Sequence, residues 1–254
     1  VTGGDTICAL NIQSWIKCWG SDQFGQIHDA LLDAHRLPID VATPLEPGNS
    51  GRTIAIAAAG TYTCEVLLTK KVQCWGKINS AAQATNTPEV IDLPDLAVDI
   101  AVNRNQACAL LSKGIVTCWR SSTAPVIVSP NLIGIQHLAA GGNHICAAST
   151  NQVWCWGDNG WGSLARPTDP SARNGYAPAA IAGLEASTDL CAGYAHACAV
   201  GASGVVRCWG ENDSGAVGCD TTERSIFAPT PVVGLANGRR VACATHNSFA
   251  VSGP

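Results

Sequence analysis

The sequence has no methionine, few charged residues and few aromatic residues. Charged side chains make up 13% of the 254 residues and aromatic ones 6%, while hydrophobic residues reach 46%. A chain this apolar can bury enough surface to offset its conformational entropy, which excludes an intrinsically disordered protein. The net charge of -4 argues against nucleic-acid binding by counterion release. Uncharged runs such as Ile54–Cys64 are too short for a membrane helix of about 20 apolar residues, so we expect no membrane span.

The sequence also lacks the short motifs of common enzymes. It contains no Gly-x-Ser-x-Gly, no Gly-x-x-x-x-Gly-Lys and no His-Glu-x-x-His. The run Asp158-Asn159-Gly160 is similar to part of a calcium-binding loop, but the glutamate that completes such a loop is absent. His28 and His35, with Asp29 and Asp33 nearby, are only a weak candidate for a metal site. We therefore predict a non-enzymatic protein without cofactor or metal.

The chain begins with Val1, and no residue in it is a methionine. We expect the translational start to lie upstream, either because a secretory signal was removed or because the chain is a segment of a longer protein. The 13 cysteines are an odd number, so at least one of them has no partner in this chain.

Ten of the cysteines mark an internal repeat. Each copy begins with a cysteine and ends 9 or 10 residues later with a Cys-Trp pair, usually followed by glycine. The first cysteines of successive copies lie 56, 44, 38 and 52 residues apart. A short unit is therefore fixed while the connecting segments vary, as in a structural core with surface loops. The five copies span residues 8–18, 64–74, 108–118, 146–155 and 198–208.

Turn-forming residues lie midway between the two cysteines of a copy, for example Lys113-Gly114 and Ser203-Gly204. A β-hairpin centred there places Cys108 opposite Cys118 and Leu110 opposite Val116. Opposed residues of this kind bring their Cβ atoms to about 4.5–5.5 Å, which allows a cross-strand disulfide. We predict five such disulfides: Cys8–Cys18, Cys64–Cys74, Cys108–Cys118, Cys146–Cys155 and Cys198–Cys208.

Two other interpretations of these cysteines are possible from their spacing and burial. Free buried cysteines would pack as small hydrophobic residues, although packing alone does not explain pairing at opposed sites in five copies. Zinc ligands usually come as close pairs of cysteines two to four residues apart, whereas the spacing here is about ten. The remaining cysteines are Cys191, Cys219 and Cys243, two of which could bridge neighbouring units.

A further strand precedes each hairpin, as in Leu138–Cys146 and Leu190–Cys198. Proline-containing segments around Ala177-Pro178 and Thr230-Pro231 are typical of edge strands. Three to four short strands in each repeat are the signature of a β-propeller, in which such sheets pack face to face. We therefore predict an all-β fold, a β-propeller of six or seven blades.

The segment from Ala192 to Gly218 resembles the repeat of the regulator of chromosome condensation superfamily, and the loops Trp156–Leu164 and Trp19–Ile27 match the same pattern. The second and third copies depart from the pattern after Trp75-Gly76 and Trp119, where we expect remodelled loops. The resemblance spans the whole chain and implies a propeller usually built of seven blades.

Paired cysteines are not typical of the nuclear members of this superfamily. They are similar to its secreted or cell-surface branch, which includes the extracellular domains of plant crinkly-type receptor kinases and, as a relative that works by binding, the β-lactamase inhibitor protein II. Persistent disulfides imply an oxidising compartment, so we expect an extracellular or cell-surface protein. The sequon Asn212-Asp213-Ser214 predicts a glycosylation site at Asn212.

The repeat does not close within the chain. Residues 241–254 begin a sixth unit, with Ser248 at the expected cysteine position, and stop before a Cys-Trp-Gly strand. We therefore expect residues 1–254 to form a single propeller domain whose ring is incomplete. The missing strands would belong to the remainder of the same polypeptide or to another chain, because an unpaired blade exposes sheet edges.

Three histidines, His144, His196 and His246, lie two residues before a cysteine or its expected substitute. A catalytic histidine is usually unique, so a recurring one is better explained by hydrogen bonds to the backbone at the bend before the hairpin. Thr6, Tyr62 and Gln106 take this position in the other copies.

The candidate binding residues are aromatic or arginine side chains outside the repeated Cys-Trp position. Tryptophans that follow a cysteine are expected to pack between blades. Trp161 lies in the loop after the fourth hairpin, Arg166 and Tyr176 follow it, and Trp15 lies within the first hairpin. Tryptophan, tyrosine and arginine are enriched at interface hot spots. We predict recognition of a protein partner; the alternatives are a carbohydrate-binding lectin and a secreted enzyme inhibitor.

Overall fold

The computed structural model describes residues 2–3, 6–27, 33–41, 52–77, 85–120, 124–169, 175–184 and 186–253. These residues form strands and turns in two compact units, Val1–Leu132 and Ile133–Pro254. The prediction of one domain over 1–254 stays a prediction. No helix that could span a membrane occurs in the described ranges.

The strands of the first unit belong to three sheets. They are β1 Thr2–Gly3, β2 Thr6–Leu10, β3 Ile16–Gly20, β4 His35–Asp40, β5 Thr53–Ala59, β6 Tyr62–Leu67, β7 Val72–Gly76, β8 Thr85–Ile91, β9 Ala97–Val102, β10 Ala107–Leu111, β11 Val116–Trp119 and β12 Val126–Ile127.

The strands of the second unit belong to three further sheets. They are β13 Ile135–Ala140, β14 His144–Ser149, β15 Val153–Gly157, β16 Tyr176–Ala180, β17 Ser187–Ala192, β18 His196–Gly201, β19 Val206–Glu211, β20 Ser225–Pro231, β21 Gly238–Cys243 and β22 Ser248–Ser252.

Consecutive antiparallel strands pair in chain order, so the sheets are β1–β4, β5–β8, β9–β12, β13–β16, β17–β20 and the two-stranded β21–β22, named sheets 1 to 6. Short strands joined by tight turns produce this meander, and Gly114 and Gly204 have φ of 72° and 81° at the predicted hairpin turns. The proline-containing segments form outer strands β16 and β20, as predicted.

The predicted hairpin register is confirmed. Cys108 lies opposite Cys118 and Leu110 opposite Val116, and the shorter fourth hairpin keeps Cys146 opposite Cys155. All five predicted cysteine pairs are bonded in the structure, with Cα atoms 4.0–4.2 Å apart.

Within each unit, sheets pack with opposite faces in contact. The cysteine face of a sheet carries its paired cysteines, and the tryptophan face carries the tryptophan that follows the second cysteine. The cysteine face of sheet 4 packs against Trp209 of sheet 5. Sheet 1 packs in the same way against Trp75 of sheet 2, and sheet 2 against Trp119 of sheet 3. The disulfides of sheets 1, 2 and 4 therefore lie in interfaces between two sheets.

The sixth repeat has a different register from the one predicted. Cys243 pairs with Ser248 across a four-residue bend, as Ala192 pairs with Ala197 in sheet 5. Ser248 is therefore the counterpart of Ala197, and Phe249 is at the cysteine position. The prediction that Ser248 replaces the cysteine was wrong because the bend length, and not the similarity of serine to cysteine, sets the strand pairing.

Candidate protein-binding surface

A loop of fixed shape follows the second strand of the hairpin in sheets 1, 4 and 5. Asp22, Asn159 and Asn212 are buried at equivalent positions in it. Their side-chain oxygens accept hydrogen bonds from the backbone N–H groups of Ile27, Leu164 and Val217, at 2.6, 2.9 and 3.2 Å. One buried side chain thus closes each loop.

The same loops also accept hydrogen bonds from a tryptophan of the neighbouring sheet. The indole Nε1 of Trp75 donates to the carbonyl oxygen of Gln26 at 3.0 Å, and that of Trp209 donates to the carbonyl of Ser163 at 2.9 Å. The prediction that these tryptophans pack between blades is confirmed, and each one also satisfies its only polar atom. The loop backbone is therefore a rigid support for any side chain at its tip.

Asn212 has a structural role in this loop that the sequence did not reveal. Its amide nitrogen donates to the carbonyl of Glu223 at 3.0 Å, and its amide oxygen holds Val217. A glycan is attached through that same nitrogen, which is buried in the folded chain. Glycosylation at Asn212 stays a prediction.

The bends that precede the hairpins of sheets 4 and 5 each contain a buried histidine. Burial lowers the pKa of His144 and of His196 to about 4, and in each case the charge of the next histidine along the chain adds to the effect. The backbone of His196 beside the ring of His144, and the backbone of Asn247 beside the ring of His196, act on the pKa in the opposite direction. Both rings are therefore neutral near pH 7.

His246 does not share this position, contrary to the sequence prediction. The register of sheet 6 makes Asn247 the counterpart of His196. His246 is half-exposed instead, with its Nδ1 atom 3.3 Å from a carboxylate oxygen of Glu211. Glycine next to the bend explains the buried rings, because a Cβ atom at Gly141 or Gly193 would overlap the histidine of its own bend.

Two cysteines outside the hairpins join neighbouring sheets. Cys191 of sheet 5 is bonded to Cys243 of sheet 6, with Cα atoms 5.5 Å apart. Their sulfur atoms and that of Cys198 lie within 4.8 Å of one another, but each is in a disulfide and so is not available as a metal ligand. Cys219 is the only free cysteine of the described residues. His28 and Asp29 of the weak metal candidate lie outside the described residues.

Three of the four candidate binding residues lie along one connection of sheet 4. Trp161 is at the tip of the loop that Asn159 closes, and 42% of its surface is exposed. Arg166 lies over the ring of Tyr176 at 5.0 Å and donates through Nη2 to the carbonyl of Ala177 at 3.1 Å. The hydroxyl of Tyr176 donates to the carbonyl of Asp169 at 3.0 Å. The arginine and the tyrosine are therefore held in place by this connection before any partner binds.

Sequence reasoning missed a fourth member of this surface, Phe227. A Cβ atom at Gly162 would lie 3.0 Å from the Phe227 ring, so the tip of the Trp161 loop rests on the outer strand of sheet 5. Phe227 is 40% exposed. No signal in the local sequence brings it to Trp161, because only the packing of two sheets does so. We call Trp161, Arg166, Tyr176 and Phe227 the aromatic surface.

Trp15 belongs to the first unit, whereas the aromatic surface belongs to the second. It occupies the turn between β2 and β3, with its backbone N–H bonded to the side chain of Asn11 at 3.0 Å. Half of its surface is exposed, at 50%. The turn carries Ile12 as an exposed neighbour and no further aromatic residue.

Four-stranded meanders that pack cysteine face on tryptophan face define a disulfide-braced β-propeller. Comparisons with known proteins agree. A family model described as "Regulator of chromosome condensation (RCC1) repeat" matches residues 188–216. The yeast protein Prp20p from Saccharomyces cerevisiae has the same fold, with a TM-score of 0.85 at 19% identity over 99% of this chain and 68% of that one. Residues 188–216 therefore match the RCC1 repeat, and the chain has the fold of the RCC1 β-propellers.

Two further matches are to proteins of different kinds, a ubiquitin ligase and a receptor kinase. The human and mouse E3 ubiquitin-protein ligases HERC2 are 24% identical over 98% of this chain, which spans only 6% of their length. The ectodomain of the Arabidopsis thaliana receptor kinase ACR4 matches with a TM-score of 0.61 at 19% identity, over 99% of this chain and 73% of that one.

Proposed function

We propose that this protein is a non-enzymatic, extracellular recognition module that binds a protein partner through the aromatic surface. The observation that carries the proposal is the exposed Trp161 on a loop whose backbone is fixed by Asn159 and by packing on Phe227. A rigid exposed aromatic residue gains contact area on binding and loses little conformational freedom.

Arg166 adds a positive charge to the aromatic surface. Burial lowers the pKa of Arg166, but the guanidinium stays charged near neutral pH because its ordinary value is far above 7. Its stacking on Tyr176 fixes the charge beside an apolar patch. Such a pair of features suits a partner that presents an apolar side chain next to an acidic one.

Protein binding is also what the fold relatives are described as doing. The structural study of Prp20p concerns its binding to Gsp1p and histones, and a second structure has Kap60 bound to the same yeast protein. The extracellular location is proposed from the six cysteine pairs, since disulfides persist in oxidising compartments, and the match to the ACR4 ectodomain supports it.

The experiment compares the wild-type chain with Trp161→Ala and with Trp15→Ala, a matched control of similar exposure. The immobilised chains are exposed to the secreted proteins of the source, and the retained protein is identified and its affinity measured. We expect Trp161→Ala to weaken binding by about 30-fold, the loss that truncation of a hot-spot aromatic produces, and Trp15→Ala to leave it unchanged.

Two outcomes would overturn the proposal. Equal affinity of the wild-type chain and Trp161→Ala would exclude the aromatic surface as the binding site. Saturable binding of the wild-type chain to an array of free glycans, at several sites per chain, would favour the lectin alternative.

A further inference from the structure

The turns of the second and third hairpins lie next to each other at one edge of the first unit. The backbone N–H of Ala97 donates to the carbonyl of Lys70 at 2.9 Å, which joins the turn of sheet 2 to the start of β9. The N–H of Ser112 donates to the carbonyl of Leu96 at 2.8 Å, which brings the turn of sheet 3 to the same place. We call this row of residues the turn edge; its members are Arg52, Leu68, Lys70, Lys71, Leu96 and Lys113.

The turn edge combines exposed leucines with positive charges. Leu68 and Leu96 are exposed at 49% and 52%. Arg52 is exposed next to Leu68, because its carbonyl accepts a hydrogen bond from the Leu68 N–H at 2.8 Å. Lys113 is also exposed, and its Nζ atom lies 3.0 Å from a carboxylate oxygen of Asp95. A cationic edge therefore occurs on a chain whose net charge is -4.

Lys70 has a backbone conformation that favours glycine. Its φ is 67°, in the left-handed region where a side chain with a Cβ atom is disfavoured. A small residue takes the equivalent position in sheets 1, 3 and 5, namely Ser14, Gly114 or Gly204. Strained residues of this kind cluster at ligand-binding positions, so the lysine side chain at this turn points to a binding role.

The equivalent turn of the second unit has a different chemistry. The counterparts of Leu68, Lys70 and Lys71 in sheet 5 are Ala202, Gly204 and Val205, none of which is charged. The same hairpin therefore forms without the leucine and the two lysines. The composition of the turn edge is not a requirement of the fold.

We propose that the turn edge binds an acidic segment of a partner protein that also carries apolar side chains. Its carboxylates pair with Arg52, Lys70 and Lys71, which supply electrostatic complementarity. Its apolar side chains cover Leu68 and Leu96, and this burial adds affinity that a purely ionic ligand would not gain. The proposal goes beyond the aromatic surface, which belongs to the second unit.

Two acidic residues favour a peptide over a uniformly anionic ligand. Asp92 and Asp95 lie in the segment that leads to Leu96. An anionic membrane or a sulfated glycan would bring negative charge close to both of them. A peptide can place its carboxylates opposite the cations alone, and thereby avoid this repulsion.

The test selects ligands from a displayed library of short random peptides. The library is first depleted on the Lys70→Gly chain and then selected on the wild-type chain. Lys70→Gly removes the side chain and relieves the turn, since glycine takes this position in sheets 3 and 5. We expect the retained peptides to combine aspartate or glutamate with leucine or aromatic residues.

An enriched peptide is then synthesised with a fluorophore, and its affinity is measured by anisotropy. Leu68→Ala, a variant not used in the selection, should weaken binding by about 10-fold. Lys77→Ala is the matched control, because it removes the same charge beyond the other end of β7. Trp161→Ala alters only the aromatic surface. Both controls should bind the peptide like the wild-type chain, so this test can fail or succeed independently of the proposed function.

Three outcomes would overturn the proposal. The first is that no peptide, or only peptides without acidic residues, survives the selection. The second is that Leu68→Ala binds the peptide as tightly as the wild-type chain does. The third is that vesicles containing phosphatidylserine, or heparin, bind the wild-type chain as tightly as the peptide and lose binding in Lys70→Gly. Near-ultraviolet circular dichroism of each variant verifies that it is folded.

Discussion

The second strands of sheets 5 and 6 have similar sequence patterns but different surroundings. Ala197-Cys198-Ala199-Val200 in β18 corresponds to Ser248-Phe249-Ala250-Val251 in β22. In sheet 5 both faces are covered, and the segment is fully buried; in sheet 6 the equivalent residues other than Ser248 are exposed. Burial in this fold is therefore decided by the neighbouring sheet, and not by the hydrophobicity of the strand itself.

The largest expected effect concerns the aromatic residues of the two sheets. Trp209→Ala should lower the free energy of unfolding by about 3–5 kcal/mol, because it opens a cavity beneath the Cys146–Cys155 pair and frees the carbonyl of Ser163. Phe249→Ala should change it by less than about 0.5 kcal/mol, the usual limit for an exposed position. Urea unfolding of the two variants and the wild-type chain measures both. Equal losses would contradict the difference between the sheets.

A smaller effect concerns His196, the buried histidine of sheet 5. The folded pKa of His196 is about 4, below the ordinary 6.5, so the unfolded chain binds the extra proton as the pH falls between these values. The stability from neutral His196 is present above pH 6.5 and is lost on acidification toward 4, by about 3 kcal/mol at most.

The substitution His196→Gln should therefore flatten the decline of stability between pH 6.5 and pH 4, and glutamine is tolerated at this position as Gln106 in sheet 3. His137→Gln is the control, because His137 lies on strand β13, outside the two bends that hold buried histidines. Unfolding midpoints in denaturant across this pH range provide the measurement. A slope that is unchanged in His196→Gln would contradict the account of the bend.

The hairpins could be predicted from the sequence because each one contains the residues that define its strand register. Two cysteines at equal distances from a turn define which residues are opposed, and the tryptophan after the second cysteine defines the face that the next sheet covers. Both features are local, so neither depends on the rest of the chain.

The sixth repeat, the role of Asn212 and the aromatic surface depend on contacts that are distant in sequence. Ser248 resembles a cysteine substitute, yet the pairing of Cys243 with Ser248 shifts it by one position. Asn212 lies in a sequon, and its hydrogen bonds to Val217 and Glu223, which close the loop, are not evident from that motif. Phe227 joins Trp161 only through the packing of sheet 5 on sheet 4.

The central claim is that oxidised hairpins build this propeller, and disulfide mapping of the protein from its native source tests it most directly. The unreduced protein is alkylated, digested and analysed by mass spectrometry. The account predicts five linked pairs within the hairpins, a sixth between Cys191 and Cys243, and alkylation of Cys219 alone. Alkylation of the hairpin cysteines as free thiols would contradict both the disulfide-braced fold and the proposed extracellular location.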